Sequence, residues 1–181
     1  MTRWMIPLLA LLSASPGFAA VPAPNLHVGD AALLFSLPAL NEEAALRAVA
    51  RTHVALSDFT GIGAGFQAKA VVIHFLQRAG GESQLQALNR LQRKFGPRSV
   101  RFIAIVSGET EIASLSDWVE TQKLDFPVLN DAHRIVLDRY GVRHFPMTFI
   151  VNGEGDVEAI GVPKEDLESS IDAEILALVK D

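Results

Sequence analysis

Two apolar runs, KAVVIHF (residues 69–75) and VRFIAIV (residues 100–106), stand out in the hydrophobic pattern. Runs of this length without polar alternation fit strands buried on both faces. Between them, residues 84–95 place Leu85, Leu88, Leu91 and Phe95 on one helical face,. A strand, helix and strand at this spacing predict a parallel pair joined by a right-handed crossover. Downstream, the pattern predicts a helix over residues 111–122, a short strand at FPVLN, and a short helix over residues 133–140 closed by Gly141,. The stretch MTFIVNGEGDVEAIGV reads as a hairpin, because two β-rich runs flank a polar turn containing Gly153 and Gly155,. Acids early, Lys180 late and leucines at helical spacing make the tail KEDLESSIDAEILALVK an amphipathic terminal helix,.

The pattern is weaker upstream. HVGDAALLFSLPAL suggests a short edge strand or hairpin, residues 41–50 a short helix, and VALSDF a strand,. The loop TGIGAGFQA carries Gly61, Gly63 and Gly65. A phosphate-binding loop would need a helix after it and a further glycine at the right offset. A β-run follows instead, so the segment reads as a flexible surface connection.

With 181 residues, 49% of them hydrophobic, the chain can build one ordinary α/β domain with a substantial core,. The formal charge of −5 and the lack of a basic run argue against nucleic-acid binding,. Residues 1–19 combine Arg3, an apolar stretch from Trp4 to Leu12, and small residues at Gly17 and Ala19. That order predicts a signal peptide, leaving a domain over residues 20–181 that is exported, periplasmic or extracellular, with no stable membrane span after cleavage. Disulfides form in such compartments, yet the chain contains no cysteine,.

The segment Tyr140-Gly-Val-Arg-His-Phe-Pro-Met-Thr-Phe-Ile-Val-Asn-Gly-Glu-Gly155 resembles a motif of the thioredoxin-like superfamily. It is similar to the exported TlpA-like and cytochrome c maturation thioredoxins, and the VGDAALLFSLPAL and LSDF...KAVVIHF segments also resemble the related AhpC-TSA redoxins. The resemblance covers roughly residues 28 to 178. It implies a thioredoxin fold, a central mixed β-sheet flanked by helices with an N-terminal extension, and a cis peptide bond at Pro146. It also places the family's C-x-x-C at Gly80, Gly81, Glu82 and Ser83 when counted from Phe75, and about two residues earlier when counted back from the helix leucines. Neither register meets a thiol, so disulfide exchange and thiol peroxidation are closed to this chain acting alone,.

Ser83-Gln84-Leu85-Gln86 has the signature of a capping box, predicting that Ser83 caps the helix and Gln86 reaches back to it,. Arg78 and Glu82 in the same turn are close enough in sequence to pair, or to meet a partner's charge. His74 on the central strand reads as a satisfied core histidine, while His27, His53 and His133 show no metal-ligand spacing,. The resemblance places His144, Phe145, Pro146 and Met147 beside the altered turn, as a face on which an extended segment can pair with main chain. The reading is therefore a binding module for a protein or extended peptide, with no cofactor and no catalytic residue. One alternative is an accessory subunit whose cysteine-bearing redox partner supplies the thiols. Another is a weak metal-binding protein using His144, Met147, Arg78 and Glu82.

Overall fold

The computed structural model describes residues 25–108, 111–161 and 166–179. The export signal expected over residues 1–19 lies outside them. A five-stranded mixed sheet runs in the order β5–β4–β3–β6–β7, from β3 (Ala70–Leu76), β4 (Val100–Ser107), β5 (Val128–Asp131), β6 (Met147–Asn152) and β7 (Val157–Gly161). β3 is parallel to β4, and β4 to β5, whereas β3 and β6 are antiparallel, as are β6 and β7. Every residue of β3 is buried, as its unbroken apolar run requires.

Alternation along β3 divides the core. Val71, Ile73 and Phe75 face a layer that includes α4 (Ile135–Tyr140). Ala70, Val72 and Leu76 face α2 (Gly81–Phe95), α3 (Ile112–Thr121) and α5 (Leu167–Leu178). The predicted face of α2 is the one buried here: Leu85, Leu88, Leu91 and Phe95 are all within the second layer. In the first layer, Tyr140 packs edge-on to Phe149 at 5.0 Å and against Phe75 at 5.4 Å, while its hydroxyl donates to the Leu33 carbonyl at 2.8 Å. Burial pushes the Tyr140 phenol well above its ordinary value, so it acts there as a neutral donor. Gly141 closes α4 in the left-handed conformation, φ +67°, and a side chain there would run into the Asn25 backbone.

The upstream segment is less regular than its sequence suggests. Only β1 (Ser36–Pro38) and β2 (His53–Ala55) form strands, paired antiparallel in a separate ribbon with α1 (Glu42–Val49) between them. The strand expected over VALSDF stops at Ala55, and Leu56–Asp58 form a turn of 3-10 helix. The cause is Asp58, whose carboxylate accepts the Ala55 N–H at 2.8 Å and also pairs with Arg51; this local bond competes with a sheet ladder. The helix expected from Gln84 begins three residues earlier, at Gly81.

Replacing Tyr140 by Phe leaves the rings packed but takes the donor from the half-buried Leu33 carbonyl. It is expected to lower unfolding free energy by about 1–2 kcal/mol in a denaturant titration. An unchanged midpoint would mean that the Leu33 bond contributes nothing.

Candidate functional site

In the antiparallel register Phe75 stands opposite Met147. The turn that follows β3 and the residues that precede β6 therefore leave the sheet at the same end. The loops after β4 and β5 emerge at that end too, because those strands run parallel to β3. This brings together the two sequence-predicted groups, Arg78 to Ser83 and His144 to Met147, as neighbouring loops.

The turn is built differently from the predicted capping box. Gly80 is the residue before the helix, in the left-handed conformation at φ +75°, and no side chain caps α2. Ser83 is an exposed residue inside the first turn, and Gln86 donates instead to the Gln122 carbonyl at 2.9 Å. The physical reason is the Gly-Gly pair. Gly80 takes a backbone conformation that side chains disfavour, and Gly81 lies where a Cβ would stand 2.8 Å from Leu76 Cδ1 and 3.2 Å from Trp118 Cη2. The helix can thus start against the Trp118 ring, before Ser83 is reached.

Trp118 and Ser114 of α3 hold the charges of the turn. The indole N–H donates to Glu82 Oε1 at 2.7 Å, and Arg78 Nη1 donates to Ser114 Oγ at 2.9 Å, with its guanidinium 6.0 Å from the Trp118 ring centroid. Arg78 and Glu82 are each bound to α3 rather than to one another. Hydrogen bonds from its own backbone N–H and then from Trp118 hold the Glu82 carboxyl below the usual carboxylate range, with a smaller contribution from the Arg78 charge,.

Beneath the turn lies a polar chain that crosses the sheet. His74 is fully buried, with Nδ1 2.9 Å from Thr148 Oγ1 and Nε2 3.2 Å from Gln84 Oε1, and Gln84 Nε2 in turn donates to the Gly80 carbonyl at 3.4 Å. An amide oxygen can only accept, so Nε2 carries the ring hydrogen and Nδ1 accepts from the threonine. Burial drives the imidazole pKa from 6.5 to about 4, with the Gln84 bond opposing. His74 is thus a neutral link between β6, β3 and the turn.

On the other side of the site, Arg143 and His144 are exposed, Phe145 and Pro146 half-buried, and Met147 buried. The Phe145–Pro146 peptide bond is cis. Phe145 rests against the first core layer, and Met147 belongs to that layer. Met147 is buried in the core while His144 is exposed. Among the described residues, no group of three His, Cys, Asp or Glu side chains is placed to hold a metal. Arg143, His144 and Phe145 make no main-chain hydrogen bond to another described residue. Trp118, Ser114, Gln84 and Thr148 were not identifiable as site residues from sequence, because each enters through tertiary packing from 10 to 74 positions away.

Two outcomes test this construction. Gly81→Ala places a methyl group against Leu76 and the indole and is expected to cost about 1–3 kcal/mol of stability; a neutral result in calorimetry would show that Trp118 is free to move aside. His74 binds its proton less tightly when folded than when unfolded, so its contribution is complete above pH 6.5 and is lost as pH falls toward 4,. Across that window the native protein should lose about 3 kcal/mol more than His74→Gln does. Parallel pH profiles for the two proteins would contradict a neutral, buried His74.

Residues 28–160 match the AhpC/TSA family. The chain is also similar to the thiol-disulfide oxidoreductase ResA of Bacillus subtilis, 37% identical over 65 residues, which is 36% of this chain and 36% of that protein. The chain therefore spans about a third of that relative's length. Among solved structures, it resembles a candidate thiol:disulfide interchange protein DsbE from Chlorobium tepidum, with TM-score 0.71 and 21% identity over 86% of this chain and all of the other. It also resembles a secreted Mycobacterium tuberculosis disulfide oxidoreductase homologous to E. coli DsbE, with TM-score 0.60 and 16% identity over 80% and 96% of the two chains. At these identities the structural likenesses establish the thioredoxin fold and no more. The match over residues 28–160 establishes the family: this chain is a cysteine-free member of the AhpC/TSA family.

Proposed function

We propose that this protein is an exported, non-catalytic member of its family that binds an extended polypeptide segment at the end of the sheet, between the turn at Arg78 to Ser83 and the loop at His144 to Met147. The observation that carries the reading is the main chain of residues 143–145. Its N–H and C=O groups have no main-chain partner among the described residues, beside two exposed side chains and a half-buried aromatic ring. Unpaired backbone groups at the margin of a sheet are a template for an added strand. Phe145 supplies an apolar contact next to them.

The altered turn supports the non-catalytic part. In the register counted from Phe75, the thiol positions are Gly80 and Ser83. Restoring a side chain at Gly80 meets an unfavourable φ, and the adjoining Gly81 has no room for one. The loss of sulfur goes with a remodelled backbone. Export rests on the signal-like residues 1–19, and among the described residues no helix is long and apolar enough to cross a membrane.

The likeness to a thiol-disulfide oxidoreductase favours a second reading, in which the bound partner brings the cysteines. Site-specific photo-crosslinking in the producing cell separates the two. A probe at Phe145 is expected to trap a discrete protein that a probe at the exposed Glu174 on α5 does not. Cysteines in the trapped segment would assign the redox-accessory role. Capture of the same proteins from both positions, or of none, would overturn the binding face.

A further inference from the structure

The ladder between β4 and β5 stops short of the start of β4. Ala104 donates to the Pro127 carbonyl at 3.2 Å, which turns the main-chain groups of alternate β4 residues toward this edge,. Phe102 is the next such residue, and its ring stands beside that of Phe126, centroids 6.5 Å apart. Continuing the pattern would need the N–H of residue 127 for the Phe102 carbonyl. Proline has none to give. The Asp125 carbonyl, which the pattern assigns to the Phe102 N–H, does not accept it either. Among the described residues, the Phe102 N–H and C=O therefore make no main-chain hydrogen bond across this edge.

Phe102, Asp125 and Pro127 line a cavity of about 300 Å3, with Arg47, Gln92 and Arg101 on its walls. That is the lower end of the range for small-ligand pockets. Its charges do not cancel. Arg47 pairs with Glu43 and Asp125 with Arg93, each at 2.7 Å, so those two pairs are neutral. Arg101 is left over. Its Nη1 donates to the Gly96 and Val100 carbonyls at 3.1 and 3.2 Å, and its guanidinium carbon lies 4.1 Å from the Phe66 ring centroid. Among the described residues it pairs with no carboxylate, and its Nε and Nη2 have no acceptor. Partial burial lowers the pKa of this guanidinium, as expected of a cation whose desolvation no nearby charge offsets,. Gln92 adds a buried Oε1 that has no hydrogen-bond partner.

A half-buried cation near the unpaired donor and acceptor of one strand residue complements a carboxylate that stands next to an amide. We infer that this cavity binds an N-acylated α-amino acid through its carboxylate. The ligand amide N–H donates to the Phe102 carbonyl, one carboxylate oxygen accepts the Phe102 N–H, and the other accepts from Arg101. This is the exchange that two directly opposed residues make in an antiparallel ladder. Phe102 is almost fully buried, so a ligand reaches its main chain from inside the cavity. A free N-acyl amino acid and the C-terminal residue of a polypeptide carry the same chemistry. The site lies toward the start of β4, at the opposite end of the sheet from the loops after β3 and before β6, and stands independently of the binding face proposed there.

Amide NMR of the labelled protein tests this with N-acetyl-L-alanine, N-acetyl-tetraalanine, and the same two compounds capped as C-terminal amides. At least one free carboxylate should shift the Phe102 amide saturably, with Kd about 1 mM or tighter, and neither capped form should. Binding of the small acid alone assigns a free ligand, and binding of the peptide alone assigns a chain terminus. R101Q removes the charge and should weaken binding about tenfold or more. P127A supplies the missing N–H to the Phe102 carbonyl and should weaken it as well. The comparison of free and capped probes is made on the native protein, so it holds even where a variant fails to fold. No saturable shift at Phe102 from either carboxylate, or equal shifts from the capped forms, would overturn the site.

Discussion

The structure depends on one register: Phe75 opposite Met147, with β3 buried between β4 and β6. A strand covered on both faces has little freedom to slip, since a shift by one residue would exchange the Val71, Ile73 and Phe75 face for the face holding His74,. Holding that register fixes three things together. It sets His74 against Thr148 and Gln84, brings the turn after β3 beside the loop before β6, and packs Phe75 into the Tyr140 and Phe149 ring cluster. The candidate face is the surface outcome of that buried alignment.

Removing sulfur from such a site need not leave a gap. Here the space at the start of α2 is filled by the Trp118 ring against Gly81, and the adjoining charges are bound to α3. The turn is therefore held from outside by α3 and from below by the His74 and Gln84 chain. Such a turn is suited to being a rigid rim. A rigid rim lowers the ordering cost of binding an extended chain, which fits a family member that keeps the fold without its cysteines.

The strands, the buried face of α2 and the β6–β7 hairpin were legible in the sequence, because each follows from local periodicity in KAVVIHF, VRFIAIV, the α2 leucines and MTFIVNGEGDVEAIGV,. His74 was legible as a satisfied core residue, though not its partners. What misled was local chemistry overruled from afar. Ser83 and Gln86 have the right spacing for a cap, but the start of α2 is set by Gly80, Gly81 and Trp118, and Trp118 lies 35 positions from Ser83. VALSDF failed for the opposite reason, because Asp58 closes a local turn that its β-prone neighbours hide.

The most direct measurement is amide hydrogen exchange of residues 143–145, read by NMR in the free protein and with a bound extended peptide. The account predicts fast exchange of these amides in the free protein, as befits exposed groups without main-chain partners,. It predicts their selective protection on binding, with α5 unchanged. Slow exchange in the free protein, or protection that falls elsewhere while residues 143–145 remain fast, would contradict it.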